Sequence, residues 1–279
     1  MHVASRFRPY VIAGLSACGG AVISYYYFHD AEKRQAFASW TTNFVAKDKW
    51  DYNWDRMDPA SLVRPSKGES DDNRYNKEVE QAKPKFTRHL LLIRHGQYNT
   101  SAKQEDEKTL TELGRKQAVF TGERLKELNF PYNQLIRSTL VRANETSSYI
   151  EKALPDVPVT DCCLLVEGAP IPPEPPIGHW KPEFYQFFQD GPRIEAAFRK
   201  YFHRAHASQK ADSYEILVCH ANVIRYFVCR ALQFPAEGWL RFTLNHCSIT
   251  WVSILPSGRV TVRAMGDAGH LPAYAVTSS

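Results

Sequence analysis

Six cysteines in 279 residues are too few for a disulfide framework, and no two of them are spaced C-x-x-C. That excludes a small stapled scaffold, a zinc ribbon and a thioredoxin-like redox motif. One sign of charge is not dominant either. Lys and Arg total 35 against 30 for Asp and Glu, a net +5 with no basic block, so nothing marks a nucleic-acid-binding surface. With 43% apolar and 23% charged residues the chain is not disordered throughout.

Charge is missing altogether from Pro9 to Phe28, PYVIAGLSACGGAVISYYYF. As a helix this stretch spans about 30 Å, the thickness of a bilayer core. Arg6 and Arg8 precede it, and Tyr25, Tyr26 and Tyr27 stand where an interfacial aromatic belt would lie. Residues 1–29 are therefore expected to form an N-terminal transmembrane anchor. The competing readings are a cleaved secretory signal, a lipoprotein box at Leu15-Ser16-Ala17-Cys18 and a buried soluble helix. The paired arginines without an early acid also suit a mitochondrial address.

Residues 30–85 read as a flexible polar linker, most strongly at Ser66–Arg74, where apolar residues are almost absent. Within it WDYNWD at 50–55 stands out. Trp50 and Trp54, each followed by an acid (Asp51 and Asp55), with Asn53 between them, are unfavourable to leave in water. They dock either on their own domain or on another subunit, in which case the motif drives self-association.

Residues 86–279 alternate strand and helix patterns. Leu90-Leu91-Leu92-Ile93 is a short apolar run suited to a strand buried on both faces. Thr111 caps a helix that ends at Asn129 and Pro131; Gln134–Ile136 is a second strand; Ser138 is the expected N-cap of a helix through Ala153. Tyr214–Cys219 forms a third strand, followed by a helix from about Asn222 to Leu232. Cys247–Ile254 and Arg259–Ala264 close as a strand pair around Pro256-Ser257-Gly258. The expected fold class is α/β, three layers, with a mostly parallel central sheet flanked by helices.

Sites in such sheets form at the carboxyl ends of strands. Arg94-His95-Gly96 follows the first strand, Arg137-Ser138 the second and His220 the third, with Arg142 one turn further on. Two histidines and two or more arginines on one rim suit a phosphate group. A neutral histidine can attack phosphorus, and Glu167, after Leu164-Leu165-Val166, is placed to act as acid and then base. His203 and His206 read as surface residues of a polar helical stretch, and no ligand spacing supports a metal.

LLLIRHGQYNT at 90–100, LTELGRKQA at 110–118, RSTLVRANET at 137–146, LLVEGAP at 164–170 and LVCHANVIRYFVCRALQFPAEGW at 217–239 together resemble the histidine phosphatase superfamily, with its phosphoglycerate mutase-like fold. Within it, WDYNWD, the stretch at 168–183 and the apolar N-terminus resemble membrane-anchored mitochondrial protein phosphatases of animals. The resemblance implies His95 as phospho-accepting nucleophile, Arg94 and Arg142 as phosphate ligands, Glu167 as proton donor and His220 as the second pocket histidine, with no metal or cofactor. It implies phosphoserine and phosphothreonine substrates on proteins, phosphohistidine among the suggested classes, and a stress-activated kinase upstream of MAP kinases as one partner. It also implies homo-oligomerisation through Trp50, Asp51, Asn53, Trp54 and Asp55. The acidic string Gly68-Glu69-Ser70-Asp71-Asp72 departs from the E3-adaptor signal of mammalian relatives, and that partner is not carried over.

Mutases usually have a Glu and a Trp-Asn pair after RHG; here Gln97, Tyr98 and Asn99 stand instead. The rim after Glu167 is stiffened by Pro170, Pro172, Pro173, Pro175, Pro176 and Pro182, which suits a docked polypeptide better than closure over a small triose. Three classes stay open: a protein phosphatase, a small-molecule phosphatase or mutase, and a scaffold with secondary activity.

Overall fold

The computed structural model describes residues 48–66, 68, 71–178 and 180–278. The expected anchor, residues 1–29, lies outside them. Among the described residues no helix is long and apolar enough to cross a membrane.

Strand β1 (Arg88–Arg94) is buried along its whole length. It is followed by α-helices and strands in near alternation. In chain order these are α1 (Pro59–Leu62) and α2 (Asp72–Ala82) before β1, then α3 (Glu112–Leu128), β2 (Tyr132–Ser138), α4 (Val141–Ala153), β3 (Val159–Cys162), α5 (Phe184–Tyr201), β4 (Ser213–Cys219), α6 (Ala221–Ala231), β5 (Ile249–Ile254) and β6 (Val260–Asp267). Strand order in the single sheet is β3-β2-β4-β1-β5-β6. Successive β1 residues serve two cores, because strand side chains alternate faces. Leu90 and Leu92 pack with Phe198 of α5 and Val223 and Phe227 of α6, while Leu91 and Ile93 pack with Leu125 of α3 and Ala143 and Ile150 of α4.

The sheet is mixed rather than mostly parallel. β3, β2, β4 and β1 pair in parallel, but β5 runs antiparallel to β1 and β6 antiparallel to β5. The β5–β6 turn is too short for the crossover that parallel strands need. Thr111 does cap α3, accepting from the Gly114 N–H, and Asn129 ends it in the left-handed region. Ser138 does not cap α4. It is the last residue of β2, and Leu140 takes the cap position without a side-chain bond. His203 and His206 follow the end of α5 rather than lying on a helix.

The stretch expected to be flexible includes the start of α2. That helix buries none of its residues and is laced by Arg74, which bonds Asp71 and, one turn on, Glu78.

WDYNWD docks on its own domain, one of the two readings open from the sequence. Trp54 donates from Nε1 to the Gly258 carbonyl at 2.7 Å and packs on Phe198. Asp55 pairs with Arg204 at 2.8 Å, both side chains essentially without solvent exposure. Asp51 exchanges two hydrogen bonds with Gln233, and Asn53 accepts from the Asp58 N–H. Gly258, at φ +82°, is required here, since a Cβ would lie 2.8 Å from the Arg204 guanidinium. Ile254 pairs with Arg88, so this clasp sits at the amino end of β1.

Burial opposes the Asp55 charge, but the bonds from Arg204 outweigh it and lower its pKa. The stabilisation is therefore fully present above the ordinary carboxylate range and is lost as pH falls through the lowered value. Asp55→Asn is expected to cost about 3–5 kcal/mol, because it strands a buried guanidinium. Urea unfolding at neutral pH reads the loss; a change below about 1 kcal/mol would show that the pair is solvated.

Candidate active site

The carboxyl ends of β1, β4 and β2 lie side by side, Arg94 opposite Cys219 and Val218 opposite Arg137. The residue after each end is therefore delivered to one rim. Arg94, His95, Arg142 and His220 are all buried there. The His95 and His220 rings lie 5.1 Å apart. A ligand atom from each of His95, Glu167 and His220 falls within 4.8 Å of the others. The structure thus brings together all five residues expected at the pocket. The five expected at the oligomerisation motif are not among them, being held at the other end of β1.

Gly96 and Gly114 explain why the turn after His95 is glycine. A Cβ on Gly96 would meet the Gly114 carbonyl at 2.7 Å, and one on Gly114 would meet the Gln97 carbonyl at 1.9 Å. The turn packs backbone to backbone on α3, and the Gly96 N–H bonds Thr146 Oγ1, whose hydroxyl donates to the Arg142 carbonyl. That chain ties the turn after His95 to the helix that carries Arg142.

His95 Nδ1 contacts the Gly96 carbonyl at 2.9 Å. A carbonyl only accepts, so Nδ1 carries the proton and the Nε2 lone pair is free in the neutral ring. Burial, reinforced by His220, Arg94 and Arg142, holds the His95 pKa well below its ordinary value. Burial and the arginines do the same to His220. Both rings are neutral at pH 7. His220 Nε2 meets Ser138 Oγ at 2.8 Å, which is the role Ser138 holds in place of a helix cap.

Arg94 donates to the Leu244 and Ser278 carbonyls. Arg142 pairs with Glu105 at 2.9 Å and lies over the Tyr98 ring. Tyr98 in turn sets its ring edge-on to His95. Buried nitrogens with no hydrogen-bond partner among the described residues include Arg94 Nε, Arg142 Nε, Arg225 Nε, His220 Nδ1 and His246 Nε2. Left unpaired, each costs roughly 1–3 kcal/mol.

Glu167 keeps part of its surface open to a cleft but is otherwise enclosed by protein. Burial pushes its pKa up to about 7 against the pull of Arg142, Arg94 and Arg225. Arg193, unremarked in the sequence, holds the acid's loop. It donates to the carbonyls of Leu164, Val166 and Glu167 and pairs with Asp190. The cleft, of ≈ 380 Å³, is lined by Glu167, Trp180, Lys181, Pro182 and Gln186 among others. The grouping of His95, Glu167 and His220 has the donor types of a metal site, but the guanidinium groups of Arg94, Arg142 and Arg225 act on the same residues. A cation is opposed where an anion is favoured.

The family model of the histidine phosphatase superfamily (branch 1) matches residues 90–168 and 182–267. Proteins named serine/threonine-protein phosphatase Pgam5, mitochondrial, are similar over nearly the whole chain. The protein from Drosophila erecta is 52% identical over 93% of each chain, and that from Drosophila melanogaster 51% over 94% of each. Among solved structures, phosphoglycerate mutase from Plasmodium falciparum is 34% identical, covering 68% of this chain and 96% of that one at a TM-score of 0.49. An open-reading-frame product of Mycobacterium tuberculosis is 22% identical, covering 66% and 99% at a TM-score of 0.51, and shares the fold. By its matched motifs and its near full-length relatives, the chain belongs to the histidine phosphatase superfamily.

Proposed function

We propose that this chain is a protein-serine/threonine phosphatase that works through a covalent phosphohistidine on His95. The observation that carries the reading is the pairing of a free His95 Nε2 with a Glu167 carboxyl raised to about 7. Arg94, Arg142 and His220 hold the phosphate ester. His95 Nε2 attacks phosphorus, the ester P–O bond breaks, and Glu167 gives its proton to the departing Ser or Thr oxygen. Glu167, now a carboxylate, takes a proton from water. That water attacks phosphorus, the P–N bond breaks, and inorganic phosphate leaves with His95 restored. The arginines spread the charge of the equatorial oxygens in both steps.

A protein substrate is favoured over a small phosphate by the cleft beside Glu167. The leaving group must lie next to the acid, and there the wall is an open trough rather than a closed pocket. Its rim is tied down, since Trp239 Nε1 bonds the Ile171 carbonyl and the Arg241 guanidinium bonds that of Glu174. Phosphothreonine peptides are expected to surpass 3-phosphoglycerate in kcat/KM by about 10²-fold, the scale of well-placed remote contacts. Comparable turnover of the two would overturn the protein-substrate reading.

The names of the relatives support a mitochondrial location, the uncharged stretch Pro9–Phe28 supports a single N-terminal membrane anchor, and a stress-activated kinase belongs to the same reading as a substrate. We extend the proposal to self-association through the docked motif, which leaves Tyr52 61% exposed as a contact for a second copy. Trp50→Ala with Trp54→Ala is expected to lower the mass seen by light scattering; an unchanged mass would reject this.

A further inference from the structure

The mechanism above uses two histidines, but a third stands in the same pocket. His246 is 1% exposed, and its ring centre lies 5.8 Å from that of His95. It reaches the site because β5 is antiparallel to β1, so the residues before β5 fall at the carboxyl end of β1.

Its orientation is built. His246 Nδ1 lies 2.9 Å from Thr277 Oγ1, and its backbone N–H donates to the Thr277 carbonyl. That hydroxyl already accepts from Gln117 Nε2 at 2.8 Å, so its own hydrogen is available for His246 Nδ1. Gln117 is fixed in turn, donating to the Ala275 carbonyl and accepting from the Gln97 N–H. When that hydrogen is given to Nδ1, the ring proton sits on Nε2, the atom left buried without a partner. Burial and Arg94 hold the His246 pKa near 3, so the ring is a neutral donor throughout the working pH range.

We propose that His246 is a phosphoryl-binding residue, its Nε2–H donating to a non-bridging phosphate oxygen, with Thr277 and Gln117 as positioning residues that set its tautomer. The inference rests on the phosphatase reading of the site. A neutral donor suits the place. The two guanidinium groups already bind the ester's charge, and another cation would strengthen ground state and product as much as the transition state.

The test uses the full chain in detergent with a phosphothreonine peptide, and orthovanadate as the anion probe. Asn at 246 offers Thr277 an acceptor near the Nδ1 position but nothing at Nε2; Gln reaches the Nε2 position with an N–H. His246→Asn is expected to lower kcat/KM by about 10²-fold, the cost of one preorganised donor, and to weaken vanadate binding. His246→Gln is expected to recover about a tenth of wild-type activity or more. A merely structural histidine gives the opposite order, Asn close to wild type and Gln impaired, and that result overturns the inference. So does unchanged vanadate affinity in His246→Asn. A wild-type chain that hydrolyses no phosphate ester would overturn the phosphatase reading and this inference together, whereas an active wild type with an equally active His246→Asn overturns this inference alone.

Discussion

His95→Ala is expected to lower phosphopeptide turnover by on the order of 10⁴-fold or more, the scale seen when a covalent nucleophile is removed from an otherwise intact site. His220 and His246 each bond a hydroxyl through one ring nitrogen, Ser138 and Thr277 respectively, which fixes both rings. The fold should survive, because the lost side chain gives up one hydrogen bond, to the adjacent carbonyl. Initial rates on a phosphothreonine peptide, with a melting curve as control, read the effect. Activity within tenfold of wild type in a folded variant would show that water attacks directly and that His95 is a ligand.

The second large effect concerns the acid. Glu167→Gln is expected to reduce kcat on phosphothreonine peptides by about 10²–10⁴-fold, the range for a positioned acid-base group. An activated aryl phosphate needs no proton at its leaving oxygen and should lose far less. The wild-type kcat/KM should fall as pH rises through about 7, because the acid form of Glu167 is then depleted. The variant should lack that limb. Stability carries the same signature. The folded pKa lies above the unfolded one, so between the ordinary carboxylate range and about 7 the native state holds more protons and stability declines as pH rises. Glu167→Gln should therefore be the more stable chain at pH 8 and no more stable at pH 4. An unchanged pH profile would remove Glu167 from the proton path.

Much of this site is legible in the sequence because its parts lie at strand ends. Arg94-His95 and His220 directly follow apolar runs, and parallel neighbours carry such residues to a common rim. Arg142 and Glu167 follow from order along the chain once those two are placed. Other members come from elsewhere. His246 precedes a strand whose direction against β1 the sequence pattern leaves open, and only the antiparallel pairing brings it to the carboxyl end of β1. Arg193 acts from the middle of α5 through backbone carbonyls, which have no sequence signature. Ser138 looks like a helix cap because caps and strand-end hydroxyls occupy the same place in a β-α unit, and only the His220 contact separates them. WDYNWD announces that it must be buried, but its receptor, Arg204, Gly258 and Gln233, is scattered over loops that no periodicity links.

In the proposed reaction the phosphoryl group passes through His95. Rapid mixing of the enzyme with a ³²P-phosphothreonine peptide, quenched in alkali within one turnover, tests it most directly. Protein-bound label is expected that survives base, is lost in acid, maps to the peptide containing His95, and disappears in His95→Ala. Turnover without any such label, or label on a residue other than His95, would contradict it.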